Sequence, residues 1–584
     1  MRVSVGTAPV TGEQKKSRST ARIFVGALAA AMIMGGAAHA EAYKFGGVNL
    51  SMDTTISAGV SMRTSGRDCG HVAFANGGCV RADGRVTGVN SDNGNLNFDQ
   101  WDFTDALVRT TVDVQATWKN YGVFVRPTAF YNQVYSANTL RFRNLDHDGR
   151  EQLDYNVDVL DAFIYGDYDI GGHATTIRVG KQVLNWGESL FIQGGINQFQ
   201  AIDVTAIRTP GSELKDALTP MPMIYASFAA TPALTLEAFW QFAYERTELD
   251  PAGSFFSNND IVGKGSLAAL SGVKPGFDNP DLAPANGDIF GVGSNVPIAL
   301  NRTEDRGASD TNQFGVAAHY YADEVGTGTD FGLYFVRYSS RLPFLGFTNG
   351  GTDQTAACAA VTVLGLDCFS ATPAIAEASV KAAFAYAANQ SSYFYEFPTV
   401  NTLGASFSTT VEGTALSGEV TFSPKMPFGI SDMELNASQI DGLGGTAFLS
   451  GGACIPALGC YFSALDPNTA PGVYQSTLSH IDLDAWQGQF GTITSFTTSD
   501  TIPTLLHADS AAFVFNAGFV YVNNAGDYPL ARSGRIGAIA NPDAANVLGG
   551  VSGVVNGATD PQYATSFSAG YVALMQSSYN NAFG

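Results

Sequence analysis

From Asp105 to Trp118 the polarity of the chain changes with almost every residue. The odd positions read Asp105, Leu107, Arg109, Thr111, Asp113, Gln115 and Thr117; the even ones read Ala106, Val108, Thr110, Val112, Val114, Ala116 and Trp118. A period of two sends successive side chains to opposite faces of an extended strand, so one face is wet and the other greasy, and the segment ends on an aromatic suited to a membrane interface. After the tight connection Lys119-Asn120-Tyr121-Gly122 the alternation resumes, with Phe124, Arg126, Thr128, Phe130 and Asn132 set against Val123, Val125, Pro127, Ala129 and Tyr131. Two alternating segments joined by a short turn predict a hairpin. Leu234, Leu236, Ala238, Trp240, Phe242 and Tyr244 form another apolar stripe, interleaved with Thr235, Glu237, Phe239, Gln241, Ala243 and Glu245, and 403–411 and 416–422 behave likewise.

Further strand candidates lie near 49–63, 155–169, 174–184, 221–230, 312–322, 329–341, 508–522 and 563–576. Many are longer than the roughly 9–11 residues that cross a bilayer as a tilted strand. Some connections are a few residues long. Others, at 64–103, 247–310, 342–400 and 430–505, are long and rich in Gly, Asn, Asp and Ala. Short turns on one side and long loops on the other predict an all-β fold, an antiparallel transmembrane β-barrel of roughly 14–18 strands with long extracellular loops. A soluble sandwich would use shorter strands, and no repeat of about 40–50 residues marks a propeller.

The N-terminus supports this reading. Arg2, Lys15, Lys16, Arg18 and Arg22 precede an uncharged run from Ile23 to Ala38, which ends in Ala38-His39-Ala40. A basic leader, a short apolar stretch and a small-x-small exit make a secretory signal peptide over 1–40, leaving 41–584 as the barrel. The formal charge is −22, and removing five basic residues with Glu13 leaves the mature chain near −26. That acidity argues against nucleic acid as a partner, because phosphates need Lys and Arg to displace their counterions. Charged residues make up only 14% of the chain while Phe and Tyr number 39 and 23, which suits strands between lipid and a wet lumen.

Six cysteines fall into three local couples, Cys69 with Cys79, Cys358 with Cys368 and Cys454 with Cys460, as expected of loop-closing disulfides in an oxidising compartment. No couple has Cys-x-x-Cys spacing, so neither a metal nor a cofactor is expected. No Gly-x-Ser-x-Gly elbow, His-Glu-x-x-His or phosphate loop occurs, and no enzymatic activity is expected. Of the seven histidines, His173, His319 and His507 lie on or beside expected strands. Asp68, Asp92, Asp99 and Asp102 read as solvated loop charges.

Residues 180–216 break the rhythm, with Trp186, Glu188, Asn197, Asp203 and Arg208 among glycines. Irregular backbone cannot face lipid, where its amides would go unpaired, so this segment lies in water or folds into the lumen. The expected lumen lining is Arg109, Asp113, Gln115, Arg126, Arg178, Gln182, Glu237, Gln241 and Glu245, with selectivity set by 186–210. Trp186 and Glu188 either meet a cargo or form a latch, Trp186 packing on the inner wall and Glu188 pairing with Arg178 or Arg208.

The run GKQVLNWGESLFIQGGIN at 180–197, the Asp203 and Pro210-Gly211 that follow, FGLYFVRYSSRLPF at 331–344, YEFP at 395–398 and EGTALSGEVTFSPKMP at 412–427 resemble the Gram-negative family catalogued as domain of unknown function 1302. The resemblance covers most of the mature chain. It implies an outer-membrane barrel and uptake of hydrophobic compounds. Phe124, Phe130 and Phe239 among polar lumen residues would suit an amphipathic or apolar cargo, and the expected partners are outer-membrane lipid, the barrel-assembly machinery, a small hydrophobic solute and a periplasmic carrier or pump. Surface binding by the long loops, and export of lipid or polysaccharide, remain open. In the resembling proteins a Tyr-Asn-Asn segment such as Tyr579-Asn580-Asn581 looks like a turn leading to further strands, which leaves open a chain truncated within its barrel.

If the leader is removed as its pattern predicts, mass spectrometry of protein recovered from outer membranes will find Glu41 at the N-terminus. Recovery from the inner membrane with 23–38 intact would overturn this.

Overall fold

The computed structural model describes residues 39–578 except 74–75, 80–89, 190–193, 267–268, 272–297, 352–353, 363–366, 369, 371–378, 380–385, 387–389, 431–434, 436–473, 529 and 531–565. In chain order the strands are β1 (His39–Phe45), β2 (Val48–Met62), β3 (Phe103–Trp118), β4 (Tyr121–Asn132), β5 (Tyr155–Ile170), β6 (His173–Gln182), β7 (Met221–Ala229), β8 (Leu234–Gln241), β9 (Ala269–Ser271), β10 (Ile298–Arg302), β11 (Gln313–Ala322), β12 (Thr329–Ser339), β13 (Phe344–Thr348), β14 (Ser392–Glu396), β15 (Thr399–Val411), β16 (Thr414–Gly429), β17 (His480–Thr497), β18 (Ser510–Val522) and β19 (Phe567–Ser578). Fifteen of them form one antiparallel sheet in the order β1-β2-β3-β4-β5-β6-β7-β8-β11-β12-β15-β16-β17-β18-β19. With an odd number of strands, β1 and β19 run in the same direction, and among the described residues they do not pair with each other.

Register sorts the side chains into two faces. Arg109 of β3 lies opposite Ser57 of β2 and Phe130 of β4, and Asp113 lies opposite Asp53, so the polar rows of successive strands coincide. The other face is apolar and exposed: Ile56, Val157, Ile164, Ile224, Leu236, Val316, Leu333, Leu403, Val420 and Phe513 all project from it. At the short-turn end Trp118, Tyr121 and Tyr168 form a contiguous aromatic group, with ring centroids 6.4 and 6.0 Å apart. Toward the other end Trp240 is exposed, and Phe422 and Trp486 pack at 4.6 Å. A strand-built apolar band between aromatic girdles is the outer surface of an outer-membrane β-sheet, and the chain is an outer-membrane protein. Among the described residues no helix is long and apolar enough to cross a membrane.

Turns such as 46–47, 119–120, 171–172 and 412–413 cluster at one end, and 63–102, 133–154, 183–220 and the later long connections lie at the other. Two long regions read as loops, 247–310 and 342–400, instead contribute β9, β10, β13 and β14 to a small mixed sheet in the order β13-β14-β10-β9. Its core is the aromatic run Tyr393, Phe394, Tyr395 and Phe397, with Arg302 and Arg306 over the rings of Tyr395 and Phe394 at 4.3 and 3.5 Å. The expected loop 430–505 also contains a full wall strand, β17. Its apolar row is broken by Asp482, Asp484 and Gly488, which hid the period of two. β1 went unread because it straddles the expected leader boundary.

Cys69–Cys79 and Cys358–Cys368 are disulfides in long-loop regions. Cys454 and Cys460 lie outside the described residues, as do 1–38 of the expected leader. Asp92 is not solvated: it is fully buried and accepts from the amide of Ala73 and from Asn76.

Leu333, 64% exposed near the middle of β12, tests the lipid face. Leu333→Arg should destabilise the protein in lipid vesicles by about 2–4 kcal/mol in urea titrations, whereas Leu333→Phe should be near neutral. Equal stability of the arginine variant would show that this face does not meet lipid.

Candidate functional site

Between β6 and β7 the chain leaves the wall for residues 183–220, whose regular pieces are the 3-10 turn Ile196–Phe199 and the short helices Val204–Arg208 and Leu214–Ala217. Asp203 starts the first helix by accepting from the Ala206 amide at 2.9 Å. The segment is fastened to the inner wall in three places.

The first is apolar. Trp186, 3% exposed, packs its indole against Phe199, Phe239 of β8 and Tyr334 of β12, at centroid distances of 5.8, 5.1 and 5.9 Å. Its Nε1 donates to Glu237 Oε2 at 2.7 Å, so the ring is buried without leaving a polar atom stranded. Leu184, Ile196, Met221, Met223, Tyr225 and Tyr338 are among the other buried members of the cluster.

The second is polar. Glu419 projects inward from β16, where its carboxylate accepts from the amides of Glu188 at 2.7 Å and Ile196 at 3.3 Å, and from Gln489 Nε2 at 2.9 Å. Gln487 of β17 accepts from the Gly195 amide and from Gln198 Nε2, both at 2.7 Å. A side chain at Gly195 would put Cβ 1.7 Å from Glu419 Oε1, and its φ of +75° also favours glycine, so this contact explains the Gly-Gly of 194–195.

The third lies across the lumen. Asp216 meets Arg109 of β3 at 3.2 Å with both side chains nearly buried, and also accepts from Thr111. Lys215 donates to Thr55 of β2. Pro210 sits directly on Gly59, where a Cβ would come within 2.6 Å of it.

These anchors require the sheet to be rolled. β2 is second and β17 thirteenth in the sheet order, so on a flat sheet with strands about 4.8 Å apart they would be separated by on the order of 50 Å. From Gly195 on β17 to Pro210 on β2 the chain has a 3-10 turn, a short helix and a few extended residues. Such a path reaches on the order of 35 Å. The segment therefore spans the inside of a rolled wall as a crossbar.

The expected lumen residues divide into two groups. Arg109, Asp113, Arg126, Arg178 and Glu237 lie on the inner rows, with Arg109 buried against Asp216 and Arg126 clamped between Asp113 at 2.6 Å and Asp161 of β5 at 2.8 Å. Gln182 and Gln241 are on the same rows but do not line open space: both are buried, Gln182 donating to the Met223 carbonyl and Gln241 accepting from Arg341 at 3.0 Å, because the crossbar covers that wall. Trp186 takes the packing position of a latch. Glu188 pairs with neither Arg178 nor Arg208. Arg208 turns toward the long-loop side, to Asp250 and over the Phe256 ring. Burial, helped by Glu419 and Asp330, pushes the Glu188 carboxyl above its ordinary range. Asn197 is bonded to Asn185 within the crossbar. Asp203 is a partly buried cap whose carboxyl is pushed up to about 6 by desolvation.

Sequence reasoning missed Asp216, Glu419, Gln487 and Arg341. Arg341 donates to the carbonyls of Phe199 and Glu245 and to Gln241, tying the crossbar to the strand ends, and burial lowers its pKa to about 10. Glu419 and Arg341 stand inside the quoted runs 412–427 and 331–344. A lone carboxylate on the wet face of a strand and an arginine just past a strand end were the available signals. His480, on β17, joins the three histidines placed at strands, and contacts Ser479, Glu396 and Asp482.

The family described as a protein of unknown function (DUF1302) matches residues 21–584. No curated protein matches the chain. Solved structures similar to it include Salmonella typhi OmpF in complex with daunomycin, at 8% identity over 84% of this chain and 84% of that one, with a TM-score of 0.29. Pseudomonas putida OprB is 9% identical over 91% of this chain and 85% of that one, with a TM-score of 0.29. Pseudomonas aeruginosa OpdK with vanillate is 9% identical over 72% and 78%, with a TM-score of 0.26. Likeness at this level carries no inference about what passes through or binds to this chain.

Glu419→Ala removes the acceptor for two crossbar amides, at a cost of about 1–3 kcal/mol for groups left unpaired. Hydrogen exchange in 187–198 should therefore accelerate by on the order of tenfold or more, while the β3–β6 amides remain protected. Unchanged exchange in 187–198 would show that Glu419 does not hold the segment.

Proposed function

We propose, for a chain that belongs to the DUF1302 family, that it is an outer-membrane channel whose permeation path is narrowed by the crossbar 183–220 and which passes a small hydrophobic or amphipathic compound. The observation that carries this reading is the crossbar itself, fastened at β16–β17 and at β2–β3 through side chains that all face the inside of the wall. A segment so placed brings its own groups and those of the facing wall within close range of any solute, which is how a wide barrel becomes selective. Glu188 at one end gives the constriction a polar edge, and the nearly buried Arg109–Asp216 pair pins the other end.

The opposite wall supports an amphipathic cargo. Phe124, Phe130, Phe163 and Tyr165 lie on the inner rows of β4 and β5, with Phe124 and Phe163 5.4 Å apart and Phe163 and Tyr165 6.2 Å apart. Arg109 and Arg126 lie over Phe130 and Phe124, so the greasy faces alternate with charge. This reading needs no catalytic step.

Deletion of 194–208 should raise single-channel conductance in planar bilayers, because it removes the span between the anchors while leaving the wall strands intact. Unchanged conductance from a correctly folded protein would place the segment outside the permeation path. A strain lacking the gene should lose growth on some of a panel of hydrophobic carbon sources; growth equal to the parent on all of them would count against the cargo class.

A further inference from the structure

Arg178 differs from the other arginines of the inner wall. Arg109 is neutralised by Asp216, Arg126 by Asp113 and Asp161, and the guanidinium of Arg341 is consumed by two carbonyls and Gln241. Arg178 lies in the middle of β6, opposite Tyr165 of β5 and Tyr225 of β7, with its guanidinium 5.2 Å from the centroid of the Tyr225 ring. Among the described residues no carboxylate comes within ion-pair distance of it and no acceptor takes a hydrogen bond from it. It is half-buried, whereas Tyr225 beneath it is buried.

The surroundings of this cation are aromatic. Tyr165 accepts from Gln115 at 2.8 Å, which fixes its ring, and Phe163 and Phe124 continue the strip across β5 and β4. A guanidinium stacked on a ring keeps its N–H edge available, and that planar fork matches a carboxylate with two parallel hydrogen bonds. Here it is a single positive charge, because Arg126, on the same wall, is already matched by two aspartates. One cation without an ion-pair partner suits a monoanion.

We propose that Arg178, seated on the buried Tyr225, and the strip Tyr165, Phe163 and Phe124 form a lumenal binding site for an amphipathic monocarboxylate, with the carboxylate on Arg178 and an aromatic or apolar body on the strip. The site deepens the channel reading and rests on it for access to the lumen.

Phenylacetate is the probe, with its neutral amide phenylacetamide and with acetate as controls, titrated calorimetrically into the full-length protein in detergent. The wild type should bind phenylacetate more tightly than either control by about tenfold or more, since each control lacks one half of the match. Arg178→Met should abolish the preference for acid over amide, and Arg178→Lys should retain it in part. Phe163→Leu should weaken phenylacetate while sparing acetate, and so tests the apolar half if the arginine variants misfold. Equal binding of acid and amide by the wild type, or an unchanged preference in folded Arg178→Met, would overturn the site. Conductance of the same preparations in potassium chloride separates the two readings. A protein that conducts without distinguishing acid from amide loses this site and keeps the channel, and one that binds the acid but does not conduct does the reverse.

Discussion

In the hydrocarbon interior of a membrane no water is available to satisfy a backbone amide, and that constraint organises this chain. The wall meets it with one uninterrupted antiparallel ladder from β1 to β19, so consecutive strands pair with consecutive strands, except where the small loop sheet intervenes. Any stretch that cannot join the ladder must leave the lipid. The described residues of 183–220, without lasting alternation, find their partners on the inner face.

Once inside, the crossbar needs donors and acceptors of its own, and the wall supplies them from rows that already point inward. Trp186 brings apolar area and one donor, which Glu237 accepts; Glu419 receives two amides that no ladder could pair. The Arg109–Asp216 pair at the far side is nearly buried. Burying such a pair contributes little net stability against a hydrophobic alternative, but losing one partner leaves a stranded charge, so it fixes position more than it adds stability. Gly195 and Gly59 allow the approaches that these contacts require.

The same logic makes Arg178 conspicuous. Arg109 and Arg126 are matched by carboxylates, and Arg341, Glu237 and Glu419 by neutral hydrogen-bond partners, whereas the side chains of Glu188, raised in pKa beside Glu419 and Asp330, and of Arg178, stacked on a ring, have neither among the described residues. In the channel reading both face the space narrowed by the crossbar. A charge left without a counter-ion inside a wall is costly, and a passing solute of opposite sign can offset that cost.

The sequence by itself determined the wall. Alternation at 105–118, 123–132 and 234–241 fixed which side chains face lipid, because a period of two leaves only two faces and the apolar one must be outside; at 242–245, past the end of β8, it did not, and Tyr244 packs on Phe397 and bonds to Ser340. It also placed 180–216 away from lipid, because irregular backbone has no other choice. It failed at β17, where Asp482, Asp484 and Gly488 blur the period, and at the loop strands β9, β10, β13 and β14, whose three- to five-residue lengths carry no pattern. Only the tertiary structure decided which inner-row residues are covered and which stay open. Gln182 and Gln241 were indistinguishable in sequence from Arg178, yet the crossbar buries the first two. Glu188 sits beside Glu419, more than two hundred residues away in sequence, and not beside the arginines nearer in the chain. Such partners are set by how far the sheet rolls and where a long connection lands. Those depend on the packing of the whole wall and leave no local trace in the residues that meet.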